Sequence, residues 1–295
     1  MTGSAGSMTG LAAPALQGAG WMMLTMLSFV TMSVAGRELA ANLSAFEVVT
    51  LRAAVGTLIL LPIVWRAGFA VLATGRPLFH GARNAVHFVG QVSWFYALGV
   101  LPLAEVTAIE YTMALWSIVL AAMFLGERID ARRWAAIAVG FAGVLIILRP
   151  GMAAVSPAAL IMLGGAAFYG ASITMVKSLT RTDRALAIVF YMNLMQFAFG
   201  LGPALADWTM PGWGDVPWIL LAGACGLTAH YCFSRALALL DVSVAAPIDY
   251  LRLPTAALVG YLVYAELVDI WVGVGSALVF AANYYNVWRE ARGRK

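Results

Sequence analysis

Charge is scarce in this chain. Only 11% of its 295 residues are charged and 62% are hydrophobic, whereas soluble globular chains carry about 25% charge and 45–50% apolar residues. Histidines number three and cysteines two, with no CxxC pair, so a metal or redox framework has little to be built from. Cys225 and Cys232 lie seven residues apart in one apolar run. That spacing is about 10.5 Å along a helix, beyond the reach of a disulfide. G-x-S-x-G, HExxH and P-loop patterns are missing, which argues against an enzyme and against an ATP-driven pump. No cofactor or metal is implied. The opening "MTGSAGSMTGLAAPALQG" lacks the basic stretch of a signal peptide, so the first apolar run is expected to stay as a helix.

Apolar length is what the chain has in quantity. Mean hydropathy is +0.87, and a membrane crossing needs roughly 20 apolar residues. The expected class is therefore an all-α integral membrane protein, with the lipid bilayer as its surroundings. Runs bounded by charge, Gly or Pro fall at 17–36, 45–65, 80–99, 103–125, 132–149, 157–177, 185–205, 216–239, 243–265 and 268–288. These are ten expected transmembrane helices with short loops. The net charge of +4 and pI near 9.2 reflect basic residues at helix ends, so no nucleic-acid partner is expected. With the N-terminus inside, thirteen Lys and Arg fall in inner loops and the tail, and two, Arg37 and Arg149, fall outside. That asymmetry predicts cytoplasmic termini. Arg52, Arg83 and Arg252 lie within spans.

The chain also repeats itself. A gapless shift of 139 residues pairs Ala97-Leu98 with Ala236-Leu237, Glu110-Tyr111 with Asp249-Tyr250, and Glu127 with Glu266. A weaker echo pairs Thr31-Met32 with Thr174-Met175. Two five-helix units follow, and because five is odd the second must enter the membrane with opposite orientation. Such inverted repeats belong to alternating-access carriers with a midplane site. The expected organisation is a flexible tail at 1–16, a first repeat at 17–150, a second at 157–288 and a basic tail at 289–295.

Two five-helix units, a fourth helix ending in "LGER" (125–128) or "YAEL" (264–267), and Arg52 in "LRAAVG" together resemble the drug/metabolite transporter superfamily. Each unit resembles an EamA domain. The second copy departs from the pattern, since Glu266 is followed by Leu and no Gly precedes it. The size and the His- and aromatic-bearing third helix are most similar to bacterial amino-acid exporters of the YddG type. The resemblance implies an inner-membrane exporter that works as a monomer, and it alone carries the direction of transport.

Ionisable groups inside spans cost several kcal/mol unless paired or wetted, so they are the first candidates. On the third helix His80, Arg83, Asn84, His87, Gln91 and Trp94 recur at steps of three, four or seven, one stripe about 100° wide. Val86, Val89 and Val92 lie opposite. His80 and Arg83 are expected to be interfacial anchors; His87, Gln91 and Trp94 are expected to line a cavity. Glu110 and Asp249 each stand over small residues at offsets of seven and eleven, Ser117 and Ala121 or Ala256 and Gly260. Two readings stand for these acids: facing the pathway, or structural pairing, with Arg252 three residues after Asp249 as the neutralising partner. Tyr111, Tyr250 and Tyr169 (beside Phe168) offer rings and hydroxyls. His230 occupies the repeat position of Gln91. Arg52 is assigned to packing, Glu127 and Glu266 to loop bonding or gating, and Pro102, Pro247 and Pro254 to bends.

The function expected is export of small organic molecules, amino acids above all, by alternating access. A zwitterion needs an acceptor for its ammonium, which Glu110 or Asp249 supplies. Its carboxylate needs donors, available from Arg252, His87, His230 and Gln91. The alternatives are a multidrug exporter of lipophilic cations, which has little use for Arg252, and a structural or sensory protein whose polar groups are mutually paired.

Overall fold

A computed structural model describes residues 8–125, 129–149, 156–237, 239–240, 242–267 and 269–293. Among them the regular structure is helical throughout: α1 (Met8–Ala40), α2 (Ala45–Ala67), α3 (Pro77–Val100), α4 (Leu103–Glu110), α5 (Met113–Leu125), α6 (Ala131–Leu148), α7 (Pro157–Leu179), α8 (Ala185–Ala206), α9 (Val216–Leu237), α10 (Val242–Asp249), α11 (Arg252–Tyr264) and α12 (Ile270–Gly293), with a 3-10 turn at Phe69–Leu72. Starts follow local chemistry. Ser44 and Glu47 form a reciprocal capping box at α2, Asp130 caps α6 by accepting from the Arg133 amide, and Pro77 and Pro157 open α3 and α7, where a missing N–H costs nothing.

Against the ten spans expected from sequence, seven stretches among the described residues are long and apolar enough to cross a membrane, counting Leu103–Leu120 across α4 and α5 and leaving out α3, α10–α11 and α12. The third helix falls outside that count; its polar stripe lowers its hydropathy. The runs at 103–125 and 243–265 are not continuous helices. Each breaks near its middle, α4 from α5 and α10 from α11, and every bound of the first pair plus 139 gives the bound of the second. Glu127 lies outside the described residues.

The halves of the chain interdigitate. Helix α1 packs on α9, α2 on α8 and α9, α3 on α7, and α6 on α12. Small residues set the close approaches. A Cβ on Gly143 would strike the carbonyl of Gly275 and one on Gly275 the carbonyl of Gly143, while Gly90 and Gly165 let α3 and α7 touch, the packing mode of membrane helices. The α6–α12 pair is antiparallel, because Asp130 at the start of α6 meets Arg289 near the end of α12 and Asp269 before α12 meets Arg149 after α6.

A cluster of buried cations at two broken helices

A helix break frees backbone groups that lipid cannot satisfy, and here side chains take them. At the first break the Tyr111 carbonyl accepts from Asn283 Nδ2 at 3.0 Å, and the Ile109 carbonyl accepts from Thr112 Oγ1 at 2.7 Å. At the second the Asp249 carbonyl accepts from the Tyr111 hydroxyl at 2.7 Å. The two breaks are thereby tied to each other, and the rings of Tyr111 and Tyr250 meet at 4.8 Å.

Arg252, first residue of α11, lies across this junction and is almost fully buried. Its Nη1 donates to Glu110 Oε1 at 3.0 Å and its Nε to the Tyr111 hydroxyl at 3.2 Å, while Nη2 stands 3.9 Å from Asp249 Oδ2. The guanidinium also covers the rings of Phe29 and Tyr111 at 4.8 and 4.9 Å. The other oxygen of Glu110 accepts from Trp94 Nε1 at 2.8 Å. Both oxygens of Glu110 are therefore held, and Trp94 acts as a clamp on the acid rather than an open cavity wall. Asp249 is the looser acid; its side chain is 20% exposed against 9% for Glu110.

A second polar group lies between α2, α3, α7, α8 and α9. Arg52 Nη2 donates to both Gln91 Oε1 and Gln196 Oε1 at 2.5 Å, in space that Gly226 leaves open against the guanidinium. His87, one turn before Gln91, packs its ring 5.3 Å from Tyr169 and 6.1 Å from His230, and its Nδ1 lies 3.4 Å from Ser172 Oγ. Tyr169 reaches this spot because Gly90 has no side chain in its way, while its neighbour Phe168 points outward. Arg83, one turn further back, donates to Asn84 Oδ1 at 2.7 Å.

One expectation needs correction. His80 and Arg83 are not interfacial anchors: both are buried, and His80 Nε2 lies 3.3 Å from Asp183 Oδ1. Arg52, assigned to structure, joins α2 to α3 and α8 through Gln91 and Gln196. Sequence gave no sign of Gln196 because it lies on α8, where no repeat echo or polar stripe marks it. The one-sidedness of α3 holds, since the stripe from His80 to Trp94 is buried and Val89 is exposed.

Two cavities lie along the junction. One of about 460 Å³ is mostly apolar and runs between α4, α11 and α12, touching Tyr111 and Tyr250. The other, about 250 Å³, lies under the ends of α6 and α11 and is lined by Glu105, Arg149, Glu266 and Asp269. Above it Glu266 ties three elements. It accepts from Arg37 on α1 and from the Leu103 amide, while Tyr264 donates to Glu38. The expected loop bonding of Glu266 is thus present.

The chain has relatives. The sequence profile of the EamA-like transporter family matches residues 16–149 and again 156–288. The S-adenosylmethionine uptake transporter of Rickettsia felis is 26% identical over 277 residues, 94% of each chain. A riboflavin transporter of Rhizobium johnstonii is 31% identical over 281 residues, covering 94% of this chain and 93% of that one. A pseudopaline exporter of Pseudomonas aeruginosa is 27% identical over 268 residues, covering 88% of this chain and 92% of that one. One crystal structure superposes with a TM-score of 0.60 at 17% identity, covering 96% of this chain and 99% of that chain, which speaks to fold alone.

Proposed function

We infer the activity from one premise: the chain belongs to the EamA-like transporter family and is a multi-pass membrane transporter of small molecules, not an enzyme. We propose that it carries amino acids or molecules with an amino-acid head by alternating access between two inverted five-helix repeats of ten spans in all. The observation that carries the reading is the pair of helix breaks 139 residues apart, each ending in an acid and both tied to Arg252. Discontinuous helices are how carriers of inverted-repeat architecture build a midplane site, and the antiparallel α6–α12 pair supports the inversion.

In this reading Asp249 receives the substrate ammonium, because both oxygens of Glu110 are already engaged. Tyr169 and Tyr250 border the path, and Trp94 holds Glu110 beside it. His87, Gln91 and His230 offer polar contacts, and Tyr111 with Arg252 positions the junction. Among the relatives' named cargos, S-adenosylmethionine carries an amino-acid head and riboflavin does not. Three buried arginines oppose a site for lipophilic cations. Direction follows the gradients across the membrane, and both uptake transporters and an exporter stand among the relatives. The Lys and Arg asymmetry supports cytoplasmic termini, and we place the carrier in a bacterial inner membrane.

The test is flux into proteoliposomes holding the full chain, with labelled neutral amino acids set against tetraphenylphosphonium. Amino-acid flux that falls at least tenfold in Asp249→Asn, with little movement of the cation, is expected. Cation flux without amino-acid flux would sink the reading.

A further inference from the structure

Two of the three intramembrane arginines have no counter-ion among the described residues. Arg252 has Glu110 and Asp249. Arg52 has only the amide oxygens of Gln91 and Gln196, and Arg83 only that of Asn84, although both arginines are buried. An unpaired buried charge is strongly unfavourable, and amide oxygens alone do not neutralise it.

The loose ends are mostly donors. Arg52 Nε, Arg83 Nε and Gln196 Nε2 are buried without a partner, and so is His87 Nε2. The Gln196 orientation follows from its bond, since its oxygen must face the Arg52 Nη2 donor and leaves the amide NH2 free. The groups belong together. Arg83, His87 and Gln91 are successive steps of four on α3, Gln91 is bonded to Arg52, and the His87 ring meets that of His230 at 6.1 Å.

We propose that this cluster seats the oxyanion of the transported molecule, a carboxylate or phosphate, with Arg52 and Arg83 as its counter-ions and Gln196 Nε2 as a further donor. Guanidinium forks match the two oxygens of either group. The assignment rests on the carrier reading above and changes the role expected of Arg252, whose charge is already balanced. The substrate class becomes small organic acids and zwitterions with one anionic end.

The full chain in detergent is heated with succinate, with glycerol 3-phosphate or with uncharged succinamide at matched ionic strength. At least one anion should raise the unfolding midpoint by several degrees, and whichever does so more names the group. Succinamide should not. Arg83→Gln should erase the anion-dependent shift while its own midpoint, without anion, equals or exceeds that of the wild type, because it removes an unpaired buried charge; a purely structural Arg83 predicts a fall. Arg83→Lys should keep part of the shift. No shift with either anion, an equal shift with succinamide, or an unchanged shift in Arg83→Gln would overturn the oxyanion seat. Amino-acid flux judges the carrier reading separately, so either can fail alone.

Discussion

The two helix breaks coincide in position and differ in cause. At 249–252 proline is at hand: Pro254 has no N–H to return to the Tyr250 carbonyl, and Pro247 sits inside α10 just before the break. At 110–113 no proline intervenes. There the break is held from outside, by Asn283 on the Tyr111 carbonyl and by the contacts of the Glu110 carboxylate with Trp94 and Arg252. One copy is broken by its own covalent structure, the other by its neighbours. Duplicated backbone geometry therefore does not require duplicated chemistry, and the acids at the two breaks are free to take different work.

If the two breaks are copies related by inversion, the ends of the chain must share one side of the membrane. This is the all-or-none test. A C-terminal reporter that works only in the periplasm should be silent, and its cytoplasmic counterpart active. A periplasmic C-terminus together with a cytoplasmic N-terminus would remove the inversion and with it the mirrored roles of the two acids.

The next effect separates those acids. Glu110→Gln leaves Arg252 with Asp249 at 3.9 Å as its remaining carboxylate, and breaking a buried pair costs about 3–5 kcal/mol. Asp249 is more exposed and farther from the guanidinium, so Asp249→Asn should cost clearly less than Glu110→Gln. Denaturation in detergent should show the large loss in the first variant alone. Equal losses would mean that the acids are equivalent structural partners and that Asp249 is not free to meet substrate.

How much of this was legible beforehand depended on whether the signal was local. Glu110, Asp249 and Arg252 stood out because charge is rare in apolar runs, and the 139-residue shift located both breaks without revealing that the helices part there. Pro254 gave a local reason for one break; Asn283, which holds the other, lies 172 residues from the carbonyl it serves. The stripe on α3 is visible as a period, yet that period cannot tell interfacial anchors from buried groups at His80 and Arg83, because burial beside α7 and α8 is a tertiary fact. The contacts of Arg52 were hidden for the same reason. Its partners Gln91 and Gln196 are 39 and 144 residues away, and no window of sequence joins them.

The smallest expected effect lies at the ends of the α6–α12 pair, where the repeat is nearly symmetric. Asp130 and Asp269, again 139 apart, each cap the helix that follows, and each bonds an arginine at the far end of the other helix. Both pairs are solvent-accessible, so Arg149→Gln should cost less than about 1 kcal/mol. At the other end the Arg133 amide, against burial and with help from Arg289, holds the Asp130 carboxyl below the usual carboxylate range. A depressed carboxylate stabilises the fold above its unfolded pKa, and the contribution is lost as pH falls through the folded one. Asp130→Asn should therefore unfold slightly earlier than wild type at pH 7, and the gap should close below about pH 3.9. A gap that persists or widens in acid would mean that Asp130 acts through its shape as a cap and not through its charge, and the two ends of the pair would no longer be equivalent.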